Sequence, residues 1–422
     1  MTTTAELSTS VRRLLPATTG PVGLSTHTRQ WGPLPLCTGH ELLTALDGSG
    51  LLGRGGAAFP TGRKMRAVLA AGGRSVVVAN GAEGEPASAK DRLLLQNAPH
   101  LVLDGIQLAA RAVGADQGHL VVHRRAGVAA QLRASIRERA DRVPVQVHEL
   151  PSAYVASEAT AVVHWLNGGP ATPTFTPPRS FESGVGGRPT LVNNVETLAH
   201  VALIARRGAQ WFRAVGDPGQ PGTLLVTVSA AGVEQQVLEV ATGALVGEVL
   251  ADAGVTPDDM AALLVGGYSG SWFTPEVGSA LRLSGAALRA AGGALGAGIL
   301  VALPKEHCGL LETARVAGYL AAHSAGQCGP CRNGLPAIAG VLRRLAVGPW
   351  DDRAWPALRR WLSVVPGRGA CGLPDGAVVL VRSMLAVFAA DVVAHRRGRP
   401  CAAAAHCPFL PLPSDAATPS WR

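Results

Sequence analysis

Lysine is nearly missing from this chain of 422 residues: Lys64, Lys90 and Lys305 stand against 35 arginines among the 38 basic side chains. Aromatic residues make up only 4% of the chain, charged residues 16%, and the cysteine count is odd, at seven. Each shortage excludes something. With few aromatics, and with basic residues scattered despite a formal charge of +9, there is neither a base-stacking platform nor a phosphate-tracking stripe, which argues against nucleic-acid binding. The low charge comes with 47% hydrophobic content, which excludes a disordered chain and supplies several cores; the length points to two to four domains. An odd cysteine number argues against a disulfide framework. The segment MTTTAELSTSVRRLLPATTG has no apolar run long enough for a secretory signal, so the cytoplasm is the expected location. LSGAALRAAGGALGAGILVALP mimics a membrane span, but it carries Arg289 and is mostly Gly and Ala, so it reads better as a packing element of an α/β fold. Where lysine is so rare, each one is either a chance survivor or a place that wants a compact ammonium.

What is present alternates. After a Pro/Gly/Thr-rich leader, GHELLTALDGSGLLGRGG reads as a short helix ending in glycines, RSVVVANG as a strand, HLVLDGIQLAARAVGA as a helix, and HLVVHRR and VPVQVHEL as further strands. Such alternation predicts a mainly parallel sheet with helices on its faces. From Gly222 the pattern changes to short strands, TLLVTVSAAG and VEQQVLEVATG, then a helix, ALVGEVLADAG, and a strand, ALLVGGYSG, a small α+β module. After Pro304 the pattern turns helical, with four helices predicted in a bundle. From Gly398 periodicity ends and a loosely attached tail is expected.

The segment Gly53-Arg-Gly-Gly-Ala-Ala-Phe-Pro-Thr-Gly62-Arg-Lys64 sets free backbone amides beside an arginine and a lysine, a combination suited to phosphate and also found in ordinary flexible loops. Its G-x-G-x-x-A follows a helix rather than a strand, so it lacks the setting of a dinucleotide fingerprint, and no glycine sits five residues before Gly62 as a Walker A loop requires. Asn80-Gly-Ala-Glu83-Gly-Glu85 follows a predicted strand directly, the edge at which open α/β sheets bind ligands, although a polar turn reads the same way. Tyr154-Val-Ala-Ser157-Glu158 and Asn193-Asn194-Val-Glu196-Thr197 add further hydrogen-bonding groups; the paired asparagines also suit a helix cap at Val195.

GRGGAAFPTGRK, NGAEGEPASAKDR, PHLVLDGIQLAARAVGA, YVASEAT, RPTLVNNVETLAHV and SAGQCGPCRNG resemble, in the same order, the NADH-binding flavoprotein subunit of complex I and its hydrogenase and formate-dehydrogenase relatives. The resemblance covers about residues 40 to 395. It implies a leader (1–39), an FMN-binding α/β domain (40–215), a β-grasp module (216–303), a helical iron-sulfur bundle (304–397) and a tail (398–422). It also implies an NADH dehydrogenase-type flavin oxidoreductase subunit that passes electrons from a donor such as NADH through FMN to an iron-sulfur centre. Beyond that would stand a carrier protein, ferredoxin-like or another oxidoreductase subunit, with membrane association only through partners. By the resemblance Arg54, Gly55 and Lys64 surround the FMN phosphate and ribityl chain. Asn80, Glu83, Tyr154, Ser157, Glu158, Asn193, Asn194 and Thr197 line the rest of the flavin, and Phe59 and Glu85 face NADH.

The chain also departs from this pattern. Ala82 stands where the family has aspartate, Ser157-Glu158-Ala159 where it doubles a glutamate, Ala67 where it has a second phenylalanine of the NADH pocket, and Thr176 where it has a lysine. FMN binding is therefore expected to be firmer than NADH binding, and a non-catalytic scaffold paralogue is the competing expectation. Cys328-Gly-Pro-Cys331 alone suits a redox motif, half a zinc site or part of an iron-sulfur site. The resemblance pairs it with Cys371 around a 4Fe-4S cluster, but Ala325 replaces the first ligand of the triplet. The open readings are a three-iron form, recruitment of Cys308, His323 or a tail cysteine, a ligand from a partner, or no cluster at all. Otherwise Cys308 reads as a small core hydrophobe, His323 as a surface residue, and Cys401 and Cys407 as incidental, although a Cys/His-rich tract can bind metal.

Overall fold

The β-branched run SVVVAN forms β1 (Ser75–Asn80) at the heart of the first sheet. The structure is a computed structural model in which residues 11–16, 20–348, 351–399, 401, 408–413 and 421 are described. β1 joins β2 (Ala115–His123), β3 (Val145–Leu150) and β4 (Thr190–Asn194) in the order β3-β2-β1-β4, with every pairing parallel. Parallel neighbours need crossovers, and the helices supply them. Helices α1 (Leu24–Trp31), α2 (Gly39–Ser49) and α3 (Thr61–Ala71) precede β1; α4 (Lys90–Asn97) and α5 (Pro99–Val113) lead to β2; α6 (Ala129–Arg137) and α7 (Ala159–Leu166) follow β2 and β3; α8 (Val195–Arg213) follows β4. All of α5 except Arg111 is buried. Gly105 lets α5 approach α8, since a methyl there would overlap the Leu198 carbonyl.

The leader is more ordered than its composition predicts. Leu14, Val22 and Trp31 sit in the core of the first domain, and the amides of Arg13, Leu14 and Leu15 all donate to the Glu239 carboxylate.

The second module opens with a two-residue pair, β5 (Gly216–Asp217) and β6 (Gln220–Pro221). Then come β7 (Thr223–Ala230), β8 (Val233–Ala241), α9 (Val246–Asp252), β9 (Met260–Val265), β10 (Ser271–Phe273), α10 (Pro275–Ala280), α11 (Gly285–Ala290) and β11 (Ile299–Pro304). The sheet order is β10-β9-β11-β7-β8, with β11 parallel to β7 and the other pairs antiparallel. A hairpin, a crossing helix and a last strand returning beside the first make this a β-grasp. The apolar stretch around Arg289 divides into α11 and β11, and no single helix among the described residues is long and apolar enough to cross a membrane.

The C-terminal bundle holds α12 (Gly309–Ala322), α13 (Leu335–Val347), α14 (Ala354–Val364), α15 (Leu373–Val387) and α16 (Ala389–Arg396). The predicted last helix is thus two, bent by 84° at Phe388. Its ring fills the space over Gly309 and meets Trp272 edge-on at 5.5 Å, and the backbone breaks to put it there. One core joins the bundle to both other domains, with Ala87, Val155, Tyr268 and Trp272 packed among its leucines and valines. The expectation of a loose tail is corrected where the tail is described: Leu410 is buried, Phe409 and Leu410 donate their amides to Glu312, and Pro411 accepts from the Tyr268 hydroxyl.

Candidate functional site

Because β1, β2 and β4 run parallel and adjacent, their carboxyl ends bring Asn80, His123, Asn193 and Asn194 to one edge. Asn194 caps α8 by accepting the Glu196 amide and donates to Asp91 at 2.6 Å; Asn80 donates to the Ser157 carbonyl at 2.8 Å. The buried Asn193 Nδ2 has no partner. A buried amide donor left free is costly unless something not yet described accepts from it. Lys64 reaches this edge from α3 and spends one of its three donors on the Val192 carbonyl at 3.0 Å. Burial lowers its pKa.

The glycine loop lies against the same edge. The Gly53 amide donates to the Phe59 carbonyl, closing the loop, and a side chain at Gly55 would press on Asn194. The Arg54 amide is bound by the Thr197 hydroxyl at 2.8 Å. The Arg54 side chain corrects the expectation from sequence: it is buried, donates to the carbonyls of Pro221 and Thr223, and stands 3.9 Å from Glu196. Its guanidinium fastens the loop to β7. Phe59 is 44% exposed, with Arg63 over its ring at 5.8 Å.

The three glutamates have separate duties. Glu83 accepts from Ser88 and from the amides of Asp91 and Arg92, so it caps α4. Burial and the neighbouring Asp91 raise its pKa. Glu158 caps α7 through the Thr160 and Ala161 amides. Both hold the site's frame, and flavin contact for either rests on the resemblance alone. Glu85 accepts from the Tyr154 hydroxyl at 2.8 Å and the Tyr268 amide at 3.1 Å, and burial pushes its carboxyl up to about 7. The Ser157 hydroxyl turns back to the Tyr154 carbonyl. Lys90, a second rare lysine, lies buried between Glu196 at 2.6 Å and Asp91 at 3.0 Å. Burial works against its charge, but the two carboxylates outweigh it.

One residue of this edge does not stand out in the sequence. His123 closes β2, is buried with both ring nitrogens unpartnered, and lines a cleft with Glu83, Glu85, Arg92 and Arg125. Burial, then Arg125, pushes its pKa down to about 3, so it is neutral. Its position at the end of VVH was the available signal, because ligands gather at that end of parallel strands.

The cysteine trio lies beyond Tyr154–Glu158. Cys331 sits in a π-helical turn, Pro330–Gly334, and Cys371 just before α15. Burial pushes Cys331 up to about 12, with the nearby Cys328 and Cys371 thiols adding to it. Burial also acts to raise Cys328, but amides of Cys331 and Ala370 and the Cys331 thiol hold it below the ordinary value. Burial raises Cys371, with contributions from Glu158 and Cys328. Cys328 and Cys331 are hydrogen-bonded neighbours and the Cys371 thiol acts electrostatically on the Cys331 thiol, and soft thiols in turns with amide donors suit an iron-sulfur group. Ser324, next to Ala325, bonds to the Cys331 thiol. Cys308 is a buried cap at the start of α12, a whole helix away, so it is no substitute for the missing ligand. His323 is buried rather than exposed, its ring 4.2 Å from that of Tyr319. Cys407 lies outside the described residues.

Comparison with known proteins agrees with this arrangement. Residues 46–203 match the Nuo51 FMN-binding domain, and residues 312–395 match the NADH-ubiquinone oxidoreductase-F iron-sulfur binding region. An F-type NADH-quinone oxidoreductase subunit of Rhizobium meliloti is 30% identical over 381 residues, 86% of this chain and 90% of that one. Its counterpart in Salmonella typhimurium is 32% identical over 371 residues, 82% of each chain. Among solved structures, a chain of an NAD+-reducing [NiFe]-hydrogenase in its H2-reduced state superposes with a TM-score of 0.79 at 32% identity, over 85% of this chain. The chain spans 63% of that hydrogenase chain's length.

Proposed function

The chain belongs to the family of F-type, Nuo51-like subunits of NADH-quinone oxidoreductase, and from that premise we propose that it is a flavin electron-transfer subunit taking reducing equivalents from a nicotinamide donor. FMN when bound supplies hydride acceptance and one-electron release, and an iron-sulfur group supplies one-electron carriage. The chain's own residues bind and orient. Lys64 and the loop amides between Gly53 and Gly62 hold the phosphate; Asn193 Nδ2 donates to the flavin's polar atoms; Asn80 and Asn194 keep the strand ends rigid. Glu85, Phe59 and the neutral His123 face the donor's side.

The observation that carries the reading is the position of the short segment Tyr154–Ser157 and Glu158. On one side Ser157 is bonded to Asn80 at the strand ends; on the other Glu158 acts on Cys371 of the thiol trio. Flavin and iron-sulfur sites are thus neighbours across one turn of chain. The donor site is the weaker part, since Ala67 and the exposed Thr176 offer neither ring nor cation. The electron acceptor is proposed to be an acidic carrier protein or another subunit, drawn by the +9 charge. The test is reduction of bound flavin by NADH, followed by its absorbance. Bleaching that needs millimolar rather than micromolar NADH, and that sharpens in Thr176→Lys, supports the proposal; flavin-loaded protein that no nicotinamide donor reduces rejects it.

A further inference from the structure

At the start of α12, away from the Cys328 turn, a second set of soft ligands converges. Cys308 caps the helix and is buried, His395 is buried on α16, and Cys401 lies six residues further on, half-buried. Cys308 Sγ is 3.8 Å from His395 Nε2, which is 3.5 Å from Cys401 Sγ, and the three atoms all lie within 4.8 Å of one another. A tetrahedral zinc ion has bonds of about 2.3 Å to sulfur and about 2.0 Å to nitrogen, which places a nitrogen and a sulfur ligand about 3.5 Å apart and two sulfurs about 3.8 Å apart. The observed nitrogen–sulfur separations, 3.5 and 3.8 Å, lie within a few tenths of an ångström of such a site.

The ring orientation points the same way. His395 Nδ1 lies 3.2 Å from the Ala346 carbonyl, which can only accept, so Nδ1 carries the proton and Nε2 presents a lone pair toward the thiols. The Cys401 amide, 3.2 Å from Nε2, donates to that lone pair, a bond that a metal ion would replace. Ligating histidines are usually held in this manner, with the second nitrogen bonded to a carbonyl. Cys308 Sγ accepts the Leu311 amide at 3.4 Å at the start of a 14-residue helix, which fixes the sulfur's position beside His395. α16 also needs an anchor, because only Val392 and His395 of its eight residues are buried.

We propose that Cys308, His395 and Cys401 bind a zinc ion that ties α16 and the chain after it to the start of α12, with the fourth position left to water or another donor. Two thiolates and an imidazole suit zinc and disfavour hard cations. At 1.5 Å per residue, α12 keeps this site about 20 Å from the cysteine trio, so the two metals are separable.

The test is metal analysis of the full chain purified without chelators, together with Cys401→Ser, His395→Gln and Cys328→Ser. Stoichiometric zinc is expected in the wild type, lost in the first two variants with flavin and iron retained, and kept in Cys328→Ser while iron falls. Cobalt(II) in place of zinc should give sulfur-to-metal charge-transfer absorption in the wild type that diminishes in Cys401→Ser. Because this spectrum is read on wild-type protein, it decides the matter even where a variant fails to fold. Absence of both zinc and the cobalt bands, a Cys308–Cys401 disulfide in the native mass spectrum, or zinc that follows Cys328 instead of Cys401 would each overturn the proposal.

Discussion

Lys64 and Asn193 offer the flavin two kinds of donor, a movable charge and a fixed buried amide. The Val192 carbonyl holds Lys64 at the strand ends, so reversing its charge should do more than remove a contact. Lys64→Glu is predicted to lose bound FMN altogether, and Lys64→Gln to weaken it on the order of 10- to 100-fold, the worth of one charge-assisted hydrogen bond. Flavin fluorescence titration checks both; full flavin in Lys64→Glu would mean that the phosphate lies elsewhere. Glu85 gives a prediction in pH. Its folded-state pKa of about 7 stands above the ordinary value, chiefly through burial. Between about pH 4.5 and 7 the native chain keeps a proton that the unfolded chain has lost, so this group's contribution falls as pH rises through that window and levels off above it. For a half-buried carboxyl the change is on the order of 1 kcal/mol. Urea midpoints of wild type and Glu85→Gln at pH 5 and pH 8 should show the wild type's advantage shrinking with pH; an advantage that stays level or grows would mean that Glu85 is ionised throughout.

Among the elements, what could be read in sequence was what depends on neighbours in sequence. SVVVAN announces β1 by β-branching, Asn194 announces the start of α8 by capping, and Cys328-Gly-Pro-Cys331 announces a thiol-bearing turn. Long-range contacts set the rest. Arg54 looked like a phosphate ligand, but its side chain bonds carbonyls about 170 positions away; His323 looked exposed but is buried against the Tyr319 ring; Phe388 breaks a regular helical pattern to fill the space above Gly309. Packing of two helices yields a direct test, since Gly105→Ala drives a methyl into the Leu198 backbone. The overlap is with backbone and cannot be relieved by a rotamer change, so a loss of about 3 kcal/mol or more is expected, read as a fall in thermal midpoint with loss of soluble yield. At the turn before α13, Ala325→Cys restores a thiolate beside Cys328. Iron per chain and its survival in air should both rise; no change in either would remove the trio as a cluster site.

Across the whole molecule, each domain has a core of its own and one cluster joins the bundle to the other two, and the sites lie where they meet: the glycine loop is fastened to β7, Glu85 and Tyr154 meet Tyr268 and Ser269 of the β-grasp, and the Tyr154 ring meets Tyr319 of the bundle. If the +9 charge draws an acidic carrier, the rate of electron delivery should fall steeply between low and physiological salt while flavin content stays constant. Flavin and iron measured per chain on anaerobically purified protein, with the absorption spectrum, test the central claim most directly. Stoichiometric FMN together with bound iron that air removes, the iron falling in Cys371→Ser while the flavin stays, is the predicted result; a colourless protein that takes up neither FMN nor iron would contradict it.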